Sequence, residues 1–319
     1  MSESQRQADL HRANKGIRVK IENTFIVDTF AEGFGLRVAR VVVTAHDRFW
    51  LEAASRSVTG YGTSVIGCDA EVGVERWIPE SETMDGRVGV SLLACGFSAE
   101  LLGKAVANRV AQCLLTAPTV SIFDGLPDAE VRSPLGSHIR FFGDGFEKTK
   151  VIDSRRYWRI PVMDGECVME ETFGIIKGVG GGNFILQADS IEHALDAARR
   201  AVDAISKSSG TITPFPGGVV RSGSKVGSKY DGLKASTNHA FCPGLVGRVQ
   251  SELADGVAAA LEIVVDGIDE ESVVRSLVAG IRSAAGPGVI AISAGNYGGK
   301  LGKYHFHLHQ ILKAAAASA

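Results

Sequence analysis

TFAEGFGLRVARVVVTAHDRFWLEAASR, residues 29–56, aligns without a gap on TFGIIKGVGGGNFILQADSIEHALDAAR, residues 172–199, at a displacement of 143 positions (172 minus 29). Thr29, Phe30, Gly35, Ala45, Ala54 and Arg56 fall on Thr172, Phe173, Gly178, Ala188, Ala197 and Arg199. Beyond an insertion, Val65, Val72 and Gly73 fall on Val219, Val226 and Gly227, a displacement of 154 (219 minus 65). Self-similarity at a nearly constant offset is the mark of an internal repeat.

Both copies carry the same order of elements. In the first, LRVARVVVTA (36–45) predicts a strand, Asp47 to Val58 a helix and GTSVIGC (62–68) a short strand. RVGVSLLACG (87–96) then predicts a strand, Ser98 caps a helix running to about Leu115, and TVSIF (119–123) closes the unit. The second copy repeats this with GGNFILQA, a helix capped by Ser190, PGGVV (216–220), AAALEIVVDG (258–267), a helix capped by Asp269, and GVIAIS (288–293). Each half is therefore β-α-β-β-α-β, an α+β class of two pseudo-repeated ferredoxin-like (split βαβ) lobes with both helices on one sheet face. The expected boundaries are an N-terminal extension over 1–22, a first lobe over 23–123, a connecting segment over 124–177, a second lobe over 178–312 and a tail over 313–319. The connecting segment holds the strand-like IRFFG and YWRIPV, and the second lobe carries a Ser/Gly/Lys-rich insertion over 223–256 whose length points to function.

Length and charge narrow the class. The chain has 319 residues, 34 basic against 36 acidic, for a net charge of −2, so no whole-molecule field favours nucleic acid or a membrane surface and any anionic ligand needs a local basic cluster. Five cysteines without a C-x-x-C pair fit reduced thiols, and the polar first twenty residues lack the apolar run of a secretory signal; the expectation is a soluble, cytoplasmic protein.

Glycine and lysine cluster in GGVVRSGSKVGSK and SAGNYGGKLGK, but neither follows the order of a Walker A loop, and GVGGGN precedes a strand where a dinucleotide site needs a helix. Lys225, Lys229, Lys300 and Lys303 are left as candidates for an anionic ligand or as solvated loop lysines. His305, His307 and His309 alternate, which on a strand would aim all three to one side and admit a metal-dependent amidohydrolase. No G-x-S-x-G elbow or cysteine nucleophile motif is present, so a covalent acyl-enzyme is not indicated. Glu262 is the anomalous carboxylate, flanked by apolar residues on an interior strand. Desolvated, it would titrate high and could donate a proton; facing outward, it would be ordinary.

The strings DTFAE (28–32), TGYGTSVI (59–66), TAPT (116–119), FFGDG (141–145), GGNF (181–184), PFPGG (214–218), SKVGSK (224–229), ASTN (235–238), SAGNYGGKLG (293–302) and HLH (307–309) resemble formylmethanofuran:tetrahydromethanopterin formyltransferases from about Asn23 to Leu312. The resemblance implies a homotetramer of two-lobed subunits moving a formyl group between methanofuran and a tetrahydromethanopterin nitrogen. Both carriers act as substrates, with no metal or bound cofactor. It also implies, for a methylotroph member, one subunit of a larger complex with hydrolase subunits; a non-catalytic carrier-binding subunit is the other alternative. ALEIVVDGI (260–268) resembles the segment whose glutamate is the proposed catalytic group in that family, which falls on Glu262. The substrate-binding candidates within the matching strings are Thr29, Phe30, Glu32, Thr119, Asp144, Phe215, Pro216, Gly217, Ser224, Lys225, Ser228, Lys229, Asn238, Asn296 and Lys300.

Overall fold

The computed structural model describes residues 19–317. Most of the extension expected over 1–22 and the last two residues of the tail lie outside the described residues.

In the first half, β1 (Val19–Ile21) and β2 (Thr24–Ile26) precede the long β3 (Phe30–Thr44), α1 (Arg48–Thr59), β4 (Glu71–Ile78), β5 (Gly89–Gly96), α2 (Ala99–Arg109) and β6 (Ser121–Asp124). β3 pairs antiparallel with β5 and β6, and β5 pairs with β4, giving the lateral order β4-β5-β3-β6. The middle of the chain supplies β7 (Val131–Pro134), the short α3 (Gly136–Ile139), β8 (Lys148–Ile152), β9 (Arg155–Val162) and β10 (Gly165–Glu170), the last three a meander attached through β6.

The second half holds the long β11 (Thr172–Ala188), α4 (Ile191–Ile205), β12 (Thr211–Ile212), the hairpin β13 (Lys225–Val226) and β14 (Ala235–Ser236), β15 (Ala259–Gly267), α5 (Glu270–Ala284), β16 (Val289–Ser293), β17 (Tyr304–His307) and α6 (Leu308–Ala317). β11 pairs with β15 and β16, and β15 with β12, so the order is β12-β15-β11-β16. Antiparallel pairing of β11 with β3, from Gly180↔Phe34 to Ile175↔Ala39, joins the halves in one mixed sheet of 15 strands.

Caps and alternation place the helices. Asp47 accepts from the N–H groups of Phe49 and Trp50, Ser98 from Leu101, Ser190 from His193 and Asp269 from Ser272, each satisfying a helix-terminal donor. Alternate residues Ala39, Val41 and Val43 of β3 pack with Leu51 of α1 and Leu102 and Val106 of α2. Phe184 and Leu186 of β11, with Leu261, Ile263 and Val265 of β15, pack under α4 and α5. Truncating the fully buried Phe184 to alanine would cost about 3–5 kcal/mol. Leu36, Val38, Leu93, Cys95 and Ile212 fill a small core where the halves meet.

Several expected elements move. GTSVIGC is a turn; the strand there is Glu71–Ile78, on which Glu71 and Glu75 are buried and Arg76 stays exposed. Glu75 accepts from Arg40 (2.6 and 2.8 Å), Ser91 Oγ (2.5 Å) and the Gly210 N–H (2.6 Å). PGGVV is not a strand: Pro216–Gly218 forms a 3-10 turn and the pairing falls to Thr211–Ile212, with only Val220 bridging to Glu262. IRFFG lies in α3 and the following 3-10 turn, because Leu135 N–H turns to the carbonyl of Glu171 and Ile139 N–H returns to Leu135.

Candidate active site

β15 sends Ala259, Leu261, Ile263 and Val265 into the helix-covered core. Period two therefore puts Glu262, Val264 and Asp266 on its other face, yet all three are buried. The outward-facing placement allowed for Glu262 is thus not adopted: it is 3% exposed. Ser224 satisfies both carboxyl oxygens, its N–H donating to Oε2 at 2.6 Å and its Oγ to Oε1 at 2.5 Å. Burial pushes the Glu262 carboxyl above the usual range, and the two Ser224 hydrogen bonds hold it back in part. Beside it lies a cavity of about 30 Å³ lined by Ile185, Val220, Arg221, Asn238, Phe241 and Glu262 among others. That volume admits one small group, not a ring system.

A second cluster sits on the loop after β16. Glu32 on β3 is 1% exposed and accepts the main-chain N–H groups of Tyr297 (2.7 Å), Gly299 (2.9 Å), Leu301 (2.6 Å) and Gly302. Burial alone would raise its titration, but the donors outweigh it and hold the carboxyl below the usual range. Gly302 must lack a side chain, since a Cβ there would come within 2.6 Å of Glu32 Cγ and 2.5 Å of the Gly33 carbonyl. Asn296 donates through Nδ2 to Thr29 Oγ1 and the Phe30 carbonyl, both at 3.2 Å. The Phe30 ring lies 5.1 Å from the rings of both His305 and His307.

Tyr297 joins the clusters: its phenol donates to the Ser224 carbonyl at 2.8 Å and accepts from the Val226 N–H at 3.1 Å. Lys225 donates to His239 Nδ1 at 3.1 Å, so that imidazole nitrogen is an acceptor. Thr29, Phe30, Glu32, Ser224, Lys225, Asn238, Glu262 and Asn296 are thereby brought into one network of loops. Ser228 caps a turn by accepting from the Tyr230 N–H, while Lys229 lies exposed over the Tyr230 ring and Lys300 is exposed on the glycine-rich loop.

Other candidates lie apart. Thr119 accepts from the His46 N–H and donates its own to Asp164, with its backbone at φ 64°. Asp144 is an exposed left-handed turn residue at φ 53°. Phe215, Pro216 and Gly217 line a groove of about 720 Å³ with Tyr61, Trp77 and Arg76. The expected row of three histidines breaks because β17 ends at His307; His309 lies in the first turn of α6 and its Nε2 bonds the Ile26 carbonyl at 2.8 Å. Among the described residues no His, Cys, Asp and Glu side chains converge in a group of three fit for a metal. Residue patterns alone do not single out Tyr297; the aromatic inside a glycine-rich string is the available signal.

A family model described as formylmethanofuran-tetrahydromethanopterin formyltransferase matches residues 19–162, and the model of that family's proximal lobe matches 165–311. The formylmethanofuran–tetrahydromethanopterin formyltransferase of Methylobacillus flagellatus is 50% identical over 299 residues, covering 92% of this chain and 99% of the relative. That of Methanosarcina mazei is 48% identical over 296 residues, covering 92% and 100%. The solved formyltransferase of Methanosarcina barkeri superposes with a TM-score of 0.88 at 47% identity, covering 92% of this chain and 100% of that one. The formyltransferase/hydrolase complex of Methylorubrum extorquens, solved with methylofuran, contains a chain matching with a TM-score of 0.89 at 41% identity, covering 93% and 99%. Fold and sequence together define an acyltransferase of the formyltransferase type. The chain belongs to the formylmethanofuran–tetrahydromethanopterin formyltransferase family.

Proposed function

We propose that this chain transfers the formyl group directly between the amine of methanofuran and a nitrogen of tetrahydromethanopterin, the carriers being substrates and no bound cofactor or metal taking part. The observation that carries the reading is Glu262, a buried carboxyl held from both sides by Ser224 at the edge of a cavity sized for a small group. The acceptor nitrogen adds to the formyl carbon, the carbonyl oxygen gains negative charge, and the bond to the departing nitrogen breaks as a proton moves from the attacking to the leaving amine. A protonated Glu262 donates a hydrogen bond to that oxygen and serves the proton transfer. Burial favours the protonated form of its carboxyl, against the opposing pull of the two Ser224 hydrogen bonds.

Phe215, Pro216 and Gly217, in their groove, and Lys225, Lys229 and Lys300 are assigned to the carriers' larger parts, with Thr29, Phe30, Asn238 and Asn296 shaping the reacting end. Thr119, Asp144 and Ser228 remain candidates, and Glu32 orders the loop that presents Lys300. The two halves are read as ferredoxin-like lobes over 23–123 and 178–312, separated by the segment 124–177, a reading supported by their shared strand order. Exposed Phe97, Leu101, Phe141, Phe142 and Phe146 support a buried subunit interface in a homotetramer. The match to a chain of a formyltransferase/hydrolase complex supports hydrolase subunits as further partners. Five free cysteines support a reducing, cytoplasmic setting, and no described helix is long and apolar enough to cross a membrane.

The test is formyl exchange between the two carriers followed by absorbance. Glu262→Gln should lower turnover about 10- to 1000-fold, and Glu262→Ala further, with affinity little changed. Near-normal turnover by folded Glu262→Ala protein would make the residue structural.

A further inference from the structure

The phenol of Tyr297 is used twice, by two main-chain groups of one turn. It donates to the Ser224 carbonyl at 2.8 Å and accepts from the Val226 N–H at 3.1 Å. At its other end, the Tyr297 N–H is fixed at 2.7 Å on the buried Glu32 carboxylate, which also holds Gly299, Leu301 and Gly302. The residue is half-buried, with Phe34 packed at 6.4 Å between ring centroids. Ser224, whose carbonyl Tyr297 grips, gives Glu262 both of its hydrogen bonds.

We propose that Tyr297 is a positioning residue for formyl transfer, fixing through its hydroxyl the turn at Ser224 and thereby the aim of the Glu262 carboxyl. This rests on Glu262 acting in catalysis. The physical case is one of leverage. The hairpin of β13 and β14 is two residues a side and pairs with no other strand among the described residues, so the wider sheet does not fix its place. One of its tertiary hydrogen bonds is the Val226 N–H to Tyr297. Loss of the hydroxyl would leave Ser224 free to shift while Glu262 stayed anchored in β15, and misplacement of a reacting group by about an ångström can reduce rate by about 100-fold. Lys225 lies in the same turn, but carrier affinity rests also on Lys229, Lys300 and the groove at Phe215, so it would change less than kcat.

The experiment compares Tyr297→Phe, Glu262→Gln and the double variant of the full-length chain in the two-carrier assay, with melting temperature measured on each. Tyr297→Phe should lower kcat about tenfold with KM within about twofold, and should add little in the Glu262→Gln background, because both changes disable one device. Unchanged kcat, a change confined to KM, full additivity with Glu262→Gln, or failure of Tyr297→Phe to fold would each overturn the proposal. If Glu262→Gln itself keeps normal turnover, the catalytic reading falls first; if it is impaired and Tyr297→Phe is not, only the role of Tyr297 falls.

Discussion

Ser224 meets Glu262 through both of its donors at once, main-chain N–H on one carboxyl oxygen and hydroxyl on the other. One residue therefore governs how far a buried acid departs from ordinary behaviour. Burial raises the carboxyl's titration and the two hydrogen bonds restrain it.

Ser224→Ala removes the hydroxyl donor and keeps the amide. The Glu262 titration should then move further up, so if the acid acts in its protonated form, the alkaline fall of kcat shifts to higher pH. Burying an unpaired oxygen should also lower stability by about 1–3 kcal/mol. A kcat–pH profile with an unmoved alkaline limb would show that Ser224 does not tune this group.

Lys225→Ala with Lys229→Ala should raise KM for at least one carrier about tenfold, equivalent to about 1.4 kcal/mol, with kcat and fold retained. Steady-state kinetics with each carrier varied in turn decides it. Unaltered constants for both would remove these lysines from the binding surface.

Glu32 has its titration held low, so its stabilising contribution is present above the unfolded carboxylate value and is lost as pH falls through the folded one. Glu32→Gln presents an amide N–H to groups that are themselves donors. Urea unfolding near pH 7 should show a deficit of about 1–3 kcal/mol that shrinks as pH falls through the lowered titration of the folded carboxylate. A deficit independent of pH would contradict the assignment.

Glu71 and Asp266, from opposite halves, are both buried. Burial pushes Glu71 well up and the neighbouring Asp266 charge adds to it; burial likewise raises Asp266. The folded pair therefore keeps protons that unfolded carboxyls release above about pH 4, and stability falls as pH rises from there to the raised folded values. Glu71→Gln should flatten the decline of melting temperature as pH rises above the unfolded carboxylate value of about 4. An equally steep decline in the variant would place the pH dependence elsewhere.

Much of this was legible in the sequence because the signals were local. Asp47, Ser98, Ser190 and Asp269 announce helix starts by side-chain chemistry alone, and β3, β5, β11, β15 and β16 are long apolar runs. β4 is hidden because Glu71 and Glu75 read as surface residues, although both are buried and Glu75 is satisfied by Arg40, Ser91 and Gly210 from distant segments. The burial of Glu262 was left open by pattern and decided by the return of Val220 and Ser224 across its outer face. Tyr297 was not singled out, because its partners at Ser224 and Val226 lie more than seventy positions away and no spacing rule connects them.

The ladder between β3 and β11 crosses the boundary that divides the family into two sequence models. At Gly181 (φ 76°) β11 bulges, its N–H held by Asp266 at 2.9 Å; its ladder with β3 ends at Gly180, and its ladder with β15 shifts register between Val179 and Gly182. The two pieces are thus unlike beads on a string. Expressing either alone would strip the edge of a long strand of its main-chain partners and invite aggregation. Recombining pieces from different relatives would succeed only where the crossover left residues 34–39 and 175–180 from compatible parents.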